Sequence, residues 1–296
     1  MTRSCVVCGG ATLVPHLRTA SAGGLSLAAT TTAYGAAPAD IVRCAACGHM
    51  QVEELPREAE LAHEYAAVSD AAYLDEERGQ RATAVRALGR IERHVPAGAL
   101  CDLGCWAGFL LSEAESRGWS AVGVEPSRFA AGFARDRFGL DVRVGTLDRV
   151  ELPERNFDAV VMGDVIEHLP DPGGALERVA RLLRPDGVVY LALPDAGSRV
   201  ARVLGRRWWS VLPTHVQYFT RASLARLLTR TGFAVEWMGT APKAFTVRYY
   251  LERLEGYSPR AAGAAVSAAR VAGAADRLVW PDFRDRVAVV ARSRGS

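Results

Sequence analysis

The sequence predicts an α/β protein whose main domain is a doubly wound parallel sheet, preceded by a small metal-binding module. Strands and helices alternate from Ala99 onward, and a glycine-containing turn joins the first of these strands to a helix. Two Cys-x-x-Cys motifs within the first 50 residues indicate the metal module. With 296 residues and 49% hydrophobic content, the chain is long enough to bury a core in each unit.

Four N-terminal cysteines form the metal motif. They occur in two Cys-x-x-Cys-Gly sequences with 35 residues between Cys8 and Cys44, so a hairpin or loop should extend from the site. The glycine after each pair lets backbone amides turn towards the sulfurs, and four thiolates close a tetrahedral site with no open position for chemistry. Two unrelated thiol pairs or a disulfide are the alternative, and His49 is interpreted as a bystander. The sequence therefore predicts a structural Zn²⁺ with the ligands Cys5, Cys8, Cys44 and Cys47.

The main domain is predicted from its alternating elements. Apolar runs predict strands at 99–103, 120–124, 140–144, 157–163 and 187–193, and helices centred near 113, 132, 178 and 226. Right-handed crossovers in such a sheet bring the carboxyl ends of the strands to one edge, where a ligand binds. The turn after the first strand and the residue that ends the second strand should therefore lie together.

The turn contains the pattern Asp102-x-Gly104-x-x-x-Gly108. It lacks the three-glycine spacing of a dinucleotide site, although its glycines allow a sharp turn and a close approach of the backbone to a ligand. Glu125 ends the next strand, 23 positions after Asp102, where a carboxylate can accept both hydroxyls of a ribose. The pattern predicts a site for a nucleoside-containing cofactor.

Four ordered segments resemble the motifs of class I S-adenosylmethionine-dependent methyltransferases: 100–108, 123–126, 156–169 and 182–194. The family usually has glycine at the position of Trp106. The resemblance implies a Rossmann-like methyltransferase sheet whose last two strands are 233–238 and 286–291, the final one antiparallel. It also implies S-adenosylmethionine as the cofactor, bound by Asp102, Gly104, Cys105, Gly108, Glu125, Pro126, Thr146, Leu147 and Asp164.

Three regions are predicted along the chain. Residues 1–50 form the zinc module, 51–95 a helical linker or lid, and 96–296 the methyltransferase domain with a helical cap segment at 240–285. Apolar residues at helical spacing in the linker are Leu61, Tyr65, Val68, Val85, Leu88 and Ile91. In similar methyltransferases this region folds over the cofactor, and Tyr65 and Tyr73 lie in it, although both tyrosines are equally compatible with core packing.

Two histidines are the predicted catalytic residues, with His215 the expected base and His168 the smaller contributor. Methyl transfer is an in-line displacement that needs alignment, and it needs a base only when the acceptor must lose a proton. His168 follows the fourth strand, at the edge where the methyl group should lie; the alternative is that it only hydrogen-bonds to loop backbone. His215 follows the fifth strand, in a segment that ends at Thr220, a predicted helix N-cap.

A closer resemblance is to the deoxysugar C-methyltransferases of antibiotic pathways, which combine a four-cysteine zinc module with this cofactor domain. Their proposed base lies at the position of His215 in a Tyr-His-Glu-His segment, whereas this sequence has Leu212 and Thr214 in place of the tyrosine and glutamate. We therefore favour O-methylation of a sugar or other natural-product hydroxyl over C-methylation. Nearby residues that could stack on such an acceptor or meet a nucleotide diphosphate, or else lie in the core or in solvent, are Arg206, Arg207, Trp208, Trp209 and Tyr218.

The composition of the chain limits the kinds of molecule that it is expected to bind. The formal net charge is only +3, and no basic block is present, so nucleic-acid binding is not favoured. No spanning segment or signal sequence is evident, which indicates a cytoplasmic protein with no membrane partner. An rRNA methyltransferase with a zinc module and a non-catalytic cofactor-binding protein remain the alternatives. The expected partner is a small-molecule acceptor such as a nucleotide-linked sugar, and the oligomeric state cannot be read from the sequence.

Overall fold

The computed structural model describes residues 4–21, 32–57, 66 and 71–294. In this part of the chain the strands fall into a small N-terminal sheet, a large central sheet and two short ladders. Their bounds in chain order are β1 (Leu13–Leu17), β2 (Ala20–Ser21), β3 (Ala36–Ala37), β4 (Ile41–Cys44), β5 (Met50–Val52), β6 (Ala99–Leu103), β7 (Ser120–Glu125), β8 (Asp141–Val144), β9 (Phe157–Gly163), β10 (Leu183–Pro194), β11 (Gln217–Tyr218), β12 (Phe233–Thr240), β13 (Phe245–Thr246), β14 (Leu278–Val279) and β15 (Arg286–Ser293).

The helices connect the strands of the central sheet and form the cap. Their bounds are α1 (Ala71–Leu74), α2 (Glu77–Ile91), α3 (Phe109–Ser116), α4 (Arg128–Phe138), α5 (Pro172–Leu182), α6 (Arg199–Leu204), α7 (Arg221–Arg230), α8 (Val247–Glu252) and α9 (Pro259–Val271). Several begin where a short polar side chain accepts a hydrogen bond from the first turn, as the predicted cap Thr220 does from Ser223. The described helices include none that is long and apolar enough to cross a membrane.

The central sheet has the order β12-β15-β10-β9-β6-β7-β8. The five strands from β6 to β10 pair in parallel, whereas β15 runs antiparallel to both β10 and β12. This confirms the predicted Rossmann-like methyltransferase sheet with an antiparallel last strand. β10 begins at Leu183, four residues before the predicted start, because an irregular stretch with Asp186 at φ +65° precedes the regular pairing from Val188.

Both faces of the central sheet are buried. Along β9, Val160 and Met162 pack into one hydrophobic cluster, and Ala159 and Val161 into the cluster on the other face, as the alternation of side chains along a strand requires. This is why the parallel strands read as continuous apolar runs in the sequence. The packing fixes the carboxyl ends of β6, β7 and β9 at one edge.

The N-terminal sheet has the order β1-β4-β5-β11. Its last strand comes from the segment after β10, because Gln217 pairs with Gln51 and Tyr218 with Met50. The strand β5 crosses the boundary predicted between residues 50 and 51. The N-terminal segment is therefore hydrogen-bonded directly to the segment that contains His215.

The linker and cap surround the same edge. Of the helical positions predicted in the linker, Leu88 and Ile91 are buried in α2 and Val85 is exposed, whereas Leu61, Tyr65 and Val68 lie outside the described residues. The predicted cap contains α8 and α9, together with a two-stranded ladder of β13 and β14. Ala244, at the start of this cap, donates to the Thr83 hydroxyl on α2 at 2.9 Å, so linker and cap are in contact.

Candidate functional site

Two glycines shape the turn between β6 and α3. Gly104 has φ +73°, and a Cβ atom there would lie 2.6 Å from Val165 Cγ2. Gly108 has φ +76° and begins α3, and a Cβ there would meet Leu140 at 2.6 Å. Glycine is required at both positions because the backbone is left-handed and there is no space for a side chain. The turn can therefore bring backbone amides close to a ligand.

Glu125 lies at the carboxyl end of β7 and is buried. Its Oε2 accepts from the Trp106 amide at 2.8 Å, and its Oε1 accepts from the Ser127 amide at 2.8 Å. Burial raises the pKa of Glu125, and these two backbone hydrogen bonds oppose that shift. Each oxygen retains a further lone pair, so the carboxylate is held in place and can still accept a hydroxyl.

Asp102 and Cys105 lie beneath the turn. Asp102 is buried in the β6 strand, and burial together with the nearby Glu125 raises its pKa. Cys105 packs against Gly123 so closely that a Cβ on that glycine would lie 2.5 Å from its Sγ. Both side chains line the cavity described below. The two side chains therefore form the cavity wall at the base of the turn.

The methyltransferase family that this sequence resembles usually has glycine at the position of Trp106. Its φ of +48° is left-handed, a costly conformation for a bulky residue. Its ring lies against Tyr73 in an edge-on contact at 6.1 Å, and its indole Nε1 is buried with no hydrogen-bond partner among the described residues. An unpaired buried donor on a cavity wall indicates a place for a ligand acceptor.

Asp164 follows β9 and connects three elements. Its carboxylate accepts from Lys243 Nζ at 2.5 Å and from the Arg286 guanidinium, and both cations hold its pKa far below the usual range despite burial. The backbone of Asp164 is left-handed, with φ +56°. Lys243 comes from the cap and Arg286 from β15, so the cap is tied to the edge of the sheet by this ion pair.

The two predicted histidines lie side by side, with ring centroids 4.7 Å apart. The Nδ1 of His168 donates to the Thr214 carbonyl at 2.8 Å, and the Nδ1 of His215 donates to the Ser210 carbonyl at 2.8 Å. A carbonyl can only accept, so each neutral ring carries its proton on Nδ1 and presents Nε2 as an acceptor. Burial lowers the pKa of His168, and lowers that of His215 to about 3.

Glu167 lies next to these histidines and is 2% exposed. In the described structure neither of its carboxyl oxygens has a hydrogen-bond partner, and burial together with Asp164 raises its pKa to about 8. Ligand atoms of Glu167, His168 and His215 all lie within 4.8 Å of one another, and these residue types bind divalent metals. At neutral pH without a metal, this carboxyl is largely protonated.

A cavity of about 530 Å³ joins these groups. Most of the predicted cofactor and catalytic residues line it, and two do not. His215 lies behind His168, and Gly108 lies at the start of α3 and acts through the backbone. The predicted residues on the cavity wall are Asp102, Gly104, Cys105, Glu125, Pro126, Thr146, Leu147, Asp164 and His168.

The proposed stacking residues of the His215 segment do not line the cavity. Trp208 is 3% exposed and Trp209 is partly buried; both direct their indole N–H groups to Asp285. The Tyr218 hydroxyl donates to the backbone of His215 at 3.2 Å. Arg206 and Arg207 lie in an exposed 3-10 turn. Cavity residues that the sequence interpretation missed come from α2, β12, the cap and β15: Arg86, Arg90, Trp237, Lys243 and Arg286.

The four N-terminal cysteines converge at one point. Cys5 and Cys47 have their sulfurs 3.6 Å apart, as do Cys8 and Cys44, and all four are free thiols within 4.8 Å of one another. The two knuckles have the same geometry, because Gly9 and Gly48 both have φ +72°. Tetrahedral zinc with Zn–S bonds of about 2.3 Å separates its sulfurs by about 3.8 Å, so the cluster fits this ion.

Hydrogen bonds connect the cysteine module to the segment that contains His215, and this segment to the loop that carries His168. Val52 in β5 donates to the Val216 carbonyl at 3.0 Å, and Val216 donates to the Glu167 carbonyl at 3.0 Å. Gln217 accepts from His49 at 3.0 Å and donates to the Leu169 carbonyl at 3.1 Å. The position of the loop that carries His168 therefore depends on the N-terminal sheet.

Comparisons with known proteins show the family of the main domain. A family model described as a methyltransferase domain matches residues 73–236. A ubiquinone biosynthesis O-methyltransferase of Rhodopseudomonas palustris is 32% identical over 31% of this chain and 38% of its own. A probable S-adenosylmethionine-dependent methyltransferase of Mycolicibacterium smegmatis is 31% identical over 46% of this chain and 51% of its own. The chain thus spans about half the length of such relatives or less.

Among solved structures, the [4+2]-cyclase SpnF has a TM-score of 0.50 at 19% identity, with 71% of this chain and 81% of that chain covered. At this identity the likeness shows the fold alone.

Proposed function

The chain belongs to the methyltransferase-domain family, and from this premise we propose that it is an S-adenosylmethionine-dependent enzyme that methylates a hydroxyl of a small-molecule acceptor. The observation that carries the proposal is His168, a neutral, partly buried imidazole on the wall of the cavity that also contains the turn between β6 and α3, the cofactor turn. The relatives named above include O-methyltransferases, which supports oxygen as the methylated atom. The cavity size suits a small molecule.

The cofactor, when bound, supplies a sulfonium methyl group for in-line displacement. Glu125 is assigned to the ribose, because its carboxylate is fixed by two amides and keeps acceptor capacity. Thr146 and Leu147 are assigned to the adenine side, and the turn at Gly104 to the methionine side. The buried, unpaired indole N–H of Trp106 fits an acceptor group of the cofactor, which gives the unusual tryptophan a function.

Replacing Glu125 with alanine should weaken binding of S-adenosylhomocysteine by ~1.5–3 kcal/mol, because a charged hydrogen-bond acceptor is lost. Calorimetry measures the effect, and Glu125→Gln separates loss of charge from loss of the contacts to Trp106 and Ser127. Glu115→Ala, on an exposed position of α3, is the matched control and should bind normally. Unchanged affinity in both Glu125 variants would remove this residue from the cofactor site.

His168 is the residue that takes the acceptor proton in this mechanism. Its Nδ1 is anchored on Thr214, so Nε2 is the nitrogen that can accept a proton from a hydroxyl. His215 does not line the cavity, and its ring packs edge-on against His168. We assign His215 to positioning the His168 ring. The Asp164 ion pairs hold the cap against the same wall and place Lys243 beside the reacting groups.

The N-terminal module is proposed to bind one Zn²⁺ through Cys5, Cys8, Cys44 and Cys47. The sulfur spacing and the paired glycine knuckles support this, and four thiolates leave no open coordination position. The ion would stabilise the module and, through β5 and β11, the loop that carries His168. The proposed regions remain 1–50 for the zinc module, 51–95 for the linker and 96–296 for the catalytic domain, with β11 extending the module's sheet.

The acceptor is proposed to be a sugar or another natural-product hydroxyl, with a nucleotide-linked sugar as the first candidate. The test is a comparative assay of nucleotide sugars and phenolic hydroxyl compounds, in which transfer to at least one class is expected. Salt-dependent retention of rRNA with methyl incorporation into it would instead favour the RNA methyltransferase alternative.

A further inference from the structure

A part of the cavity extends away from the cofactor turn, along helix α2. Near the start of this helix, the Gln80 amide donates to the Tyr73 carbonyl, and Tyr73 contacts Trp106 in the turn. Arg90 lies ten residues further on, about 15 Å along the helix axis. Arg90 lines the cavity there, opposite Trp237 of β12 and close to Tyr190 of β10. We call this part of the cavity, lined by Arg86, Arg90, Tyr190 and Trp237, the outer arm.

The outer arm carries unbalanced positive charge. Arg86 and Arg90 both line it, one turn apart on α2, and no carboxylate in the described part of the chain pairs with either guanidinium. Lys243 and Arg286 add two further cations at its inner end, where both pair with the carboxylate of Asp164. The Nε of Arg286 is buried with no hydrogen-bond partner in the described structure.

Arg90 is held in position by its surroundings. Its guanidinium lies 3.9 Å from the centroid of the Trp237 ring, which leaves the N–H groups at its edge available for a planar acceptor. Burial lowers the pKa of Arg90, and repulsion from the nearby Arg93 and Arg86 lowers it further. An anion in this place would relieve that repulsion.

The walls between the charged groups are apolar. Ala84, Ala87, Trp237, Ala241 and Pro242 line the arm together with the Tyr190 ring, and most of the cavity surface is contributed by apolar atoms. Such a wall holds an apolar body, and a few polar groups then fix its orientation. The arrangement fits an elongated molecule that has its hydroxyl near His168 and an anionic group at the far end.

We propose that Arg86 and Arg90 bind an anionic oxygen group of the acceptor, a phosphate or a carboxylate, while the arm between them and His168 holds its body. This inference rests on the proposed function of the cavity and names the acceptor class more closely. Paired guanidinium groups bind such anions by bidentate hydrogen bonds. The exposed pair Arg206 and Arg207 plays no part in it, because neither lines the cavity.

The test measures anion binding by calorimetry with S-adenosylhomocysteine at saturation. The probes are inorganic diphosphate and succinate, which distinguish a phosphate from a carboxylate group. Arg90→Gln and Arg86→Gln should each weaken the preferred probe about 10–100-fold, while the affinity for S-adenosylhomocysteine stays unchanged. Arg93→Gln is the matched control. Arg93 is exposed at the end of the same helix and does not line the cavity, so this variant should bind both probes normally.

A second readout uses turnover. Among hydroxyl acceptors that differ only in the presence of an anionic group, the charged member should have the lower KM, and Arg90→Gln should abolish that difference. Equal probe binding in Arg90→Gln and Arg93→Gln, or no preference for the charged acceptor, would overturn the anion site. Normal cofactor binding and methyl transfer in the same samples would leave the proposed methyltransferase function standing, so the two failures are distinguishable.

Discussion

Replacing Cys44 with serine should release the bound metal and destabilise the N-terminal module. Structural zinc contributes an apparent ~10–16 kcal/mol to folding of small zinc modules near neutral pH, so loss of one thiolate has a large effect. Metal analysis should fall from one zinc per chain to near zero, and thermal unfolding should begin at a lower temperature. Turnover should fall as well, since the module holds the His168 loop through Val216.

Cys101 provides the control for this experiment. It is a free thiol buried in β6, inside the central sheet and away from the cysteine cluster. Cys101→Ala should therefore retain one zinc, even if it lowers stability by removing a buried sulfur. If Cys44→Ser kept both its metal content and its thermal stability, the structural-zinc proposal would fail.

Replacing His168 with alanine should lower kcat by ~10²–10⁴-fold, the usual contribution of a positioned general base. Affinity for S-adenosylhomocysteine should change little, because His168 is assigned to the acceptor side. His215→Ala should cause a smaller loss of kcat, because its ring reaches the acceptor only through His168. If His168→Ala retained full kcat, catalysis would depend on alignment alone.

The pH profile of kcat gives an independent readout of the same base. Burial lowers the pKa of His168 below its ordinary value of 6.5, and Lys243 lowers it further, whereas Asp164 and the Thr214 carbonyl oppose the shift. The base is therefore neutral and active at pH 7, and kcat should fall only when the pH drops below that lowered pKa. An acid limb centred above pH 6.5 would contradict this assignment.

The central sheet could be predicted from the sequence because its strands are short, apolar and regularly spaced. The elements β6, β7, β8 and β9 lie within two residues of their predicted bounds. The cofactor turn could be predicted for a related reason, since Gly104 has no room for a Cβ and leaves a local signature. Both features depend on neighbours in the sequence, which pattern and spacing record well.

The orientation of the two histidines could not be predicted in the same way. Thr214 lines the cavity, and the next residue, His215, turns its ring towards the backbone of Ser210. The two residues lie in a turn in which the His215 amide donates to the Leu212 carbonyl at 3.1 Å, so the geometry of the turn decides which side chain meets the substrate. The pairing of this segment with β5 sets that choice, and such long-range pairing leaves no local pattern.

The positive charge of the outer arm could not be predicted from the sequence either. Arg86 and Arg90 are two of many arginines, and spacing on α2 alone does not separate a cavity residue from a solvated one. What distinguishes Arg90 is its contact with Trp237, almost 150 positions away in the chain. Lys243 is the only lysine in the sequence and can be singled out for that reason, but its ion pair with Asp164 is apparent only in the folded structure.

The central claim, methyl transfer to an acceptor oxygen, is tested most directly with S-adenosylmethionine that carries a deuterated methyl group. The enzyme is incubated with the hydroxyl acceptors of the comparative screen, and mass spectrometry and NMR locate the label in the product. We expect one intact labelled methyl group on the acceptor oxygen, with formation of the product strongly reduced in His168→Ala. Label on a carbon or nitrogen atom of the acceptor would contradict the account.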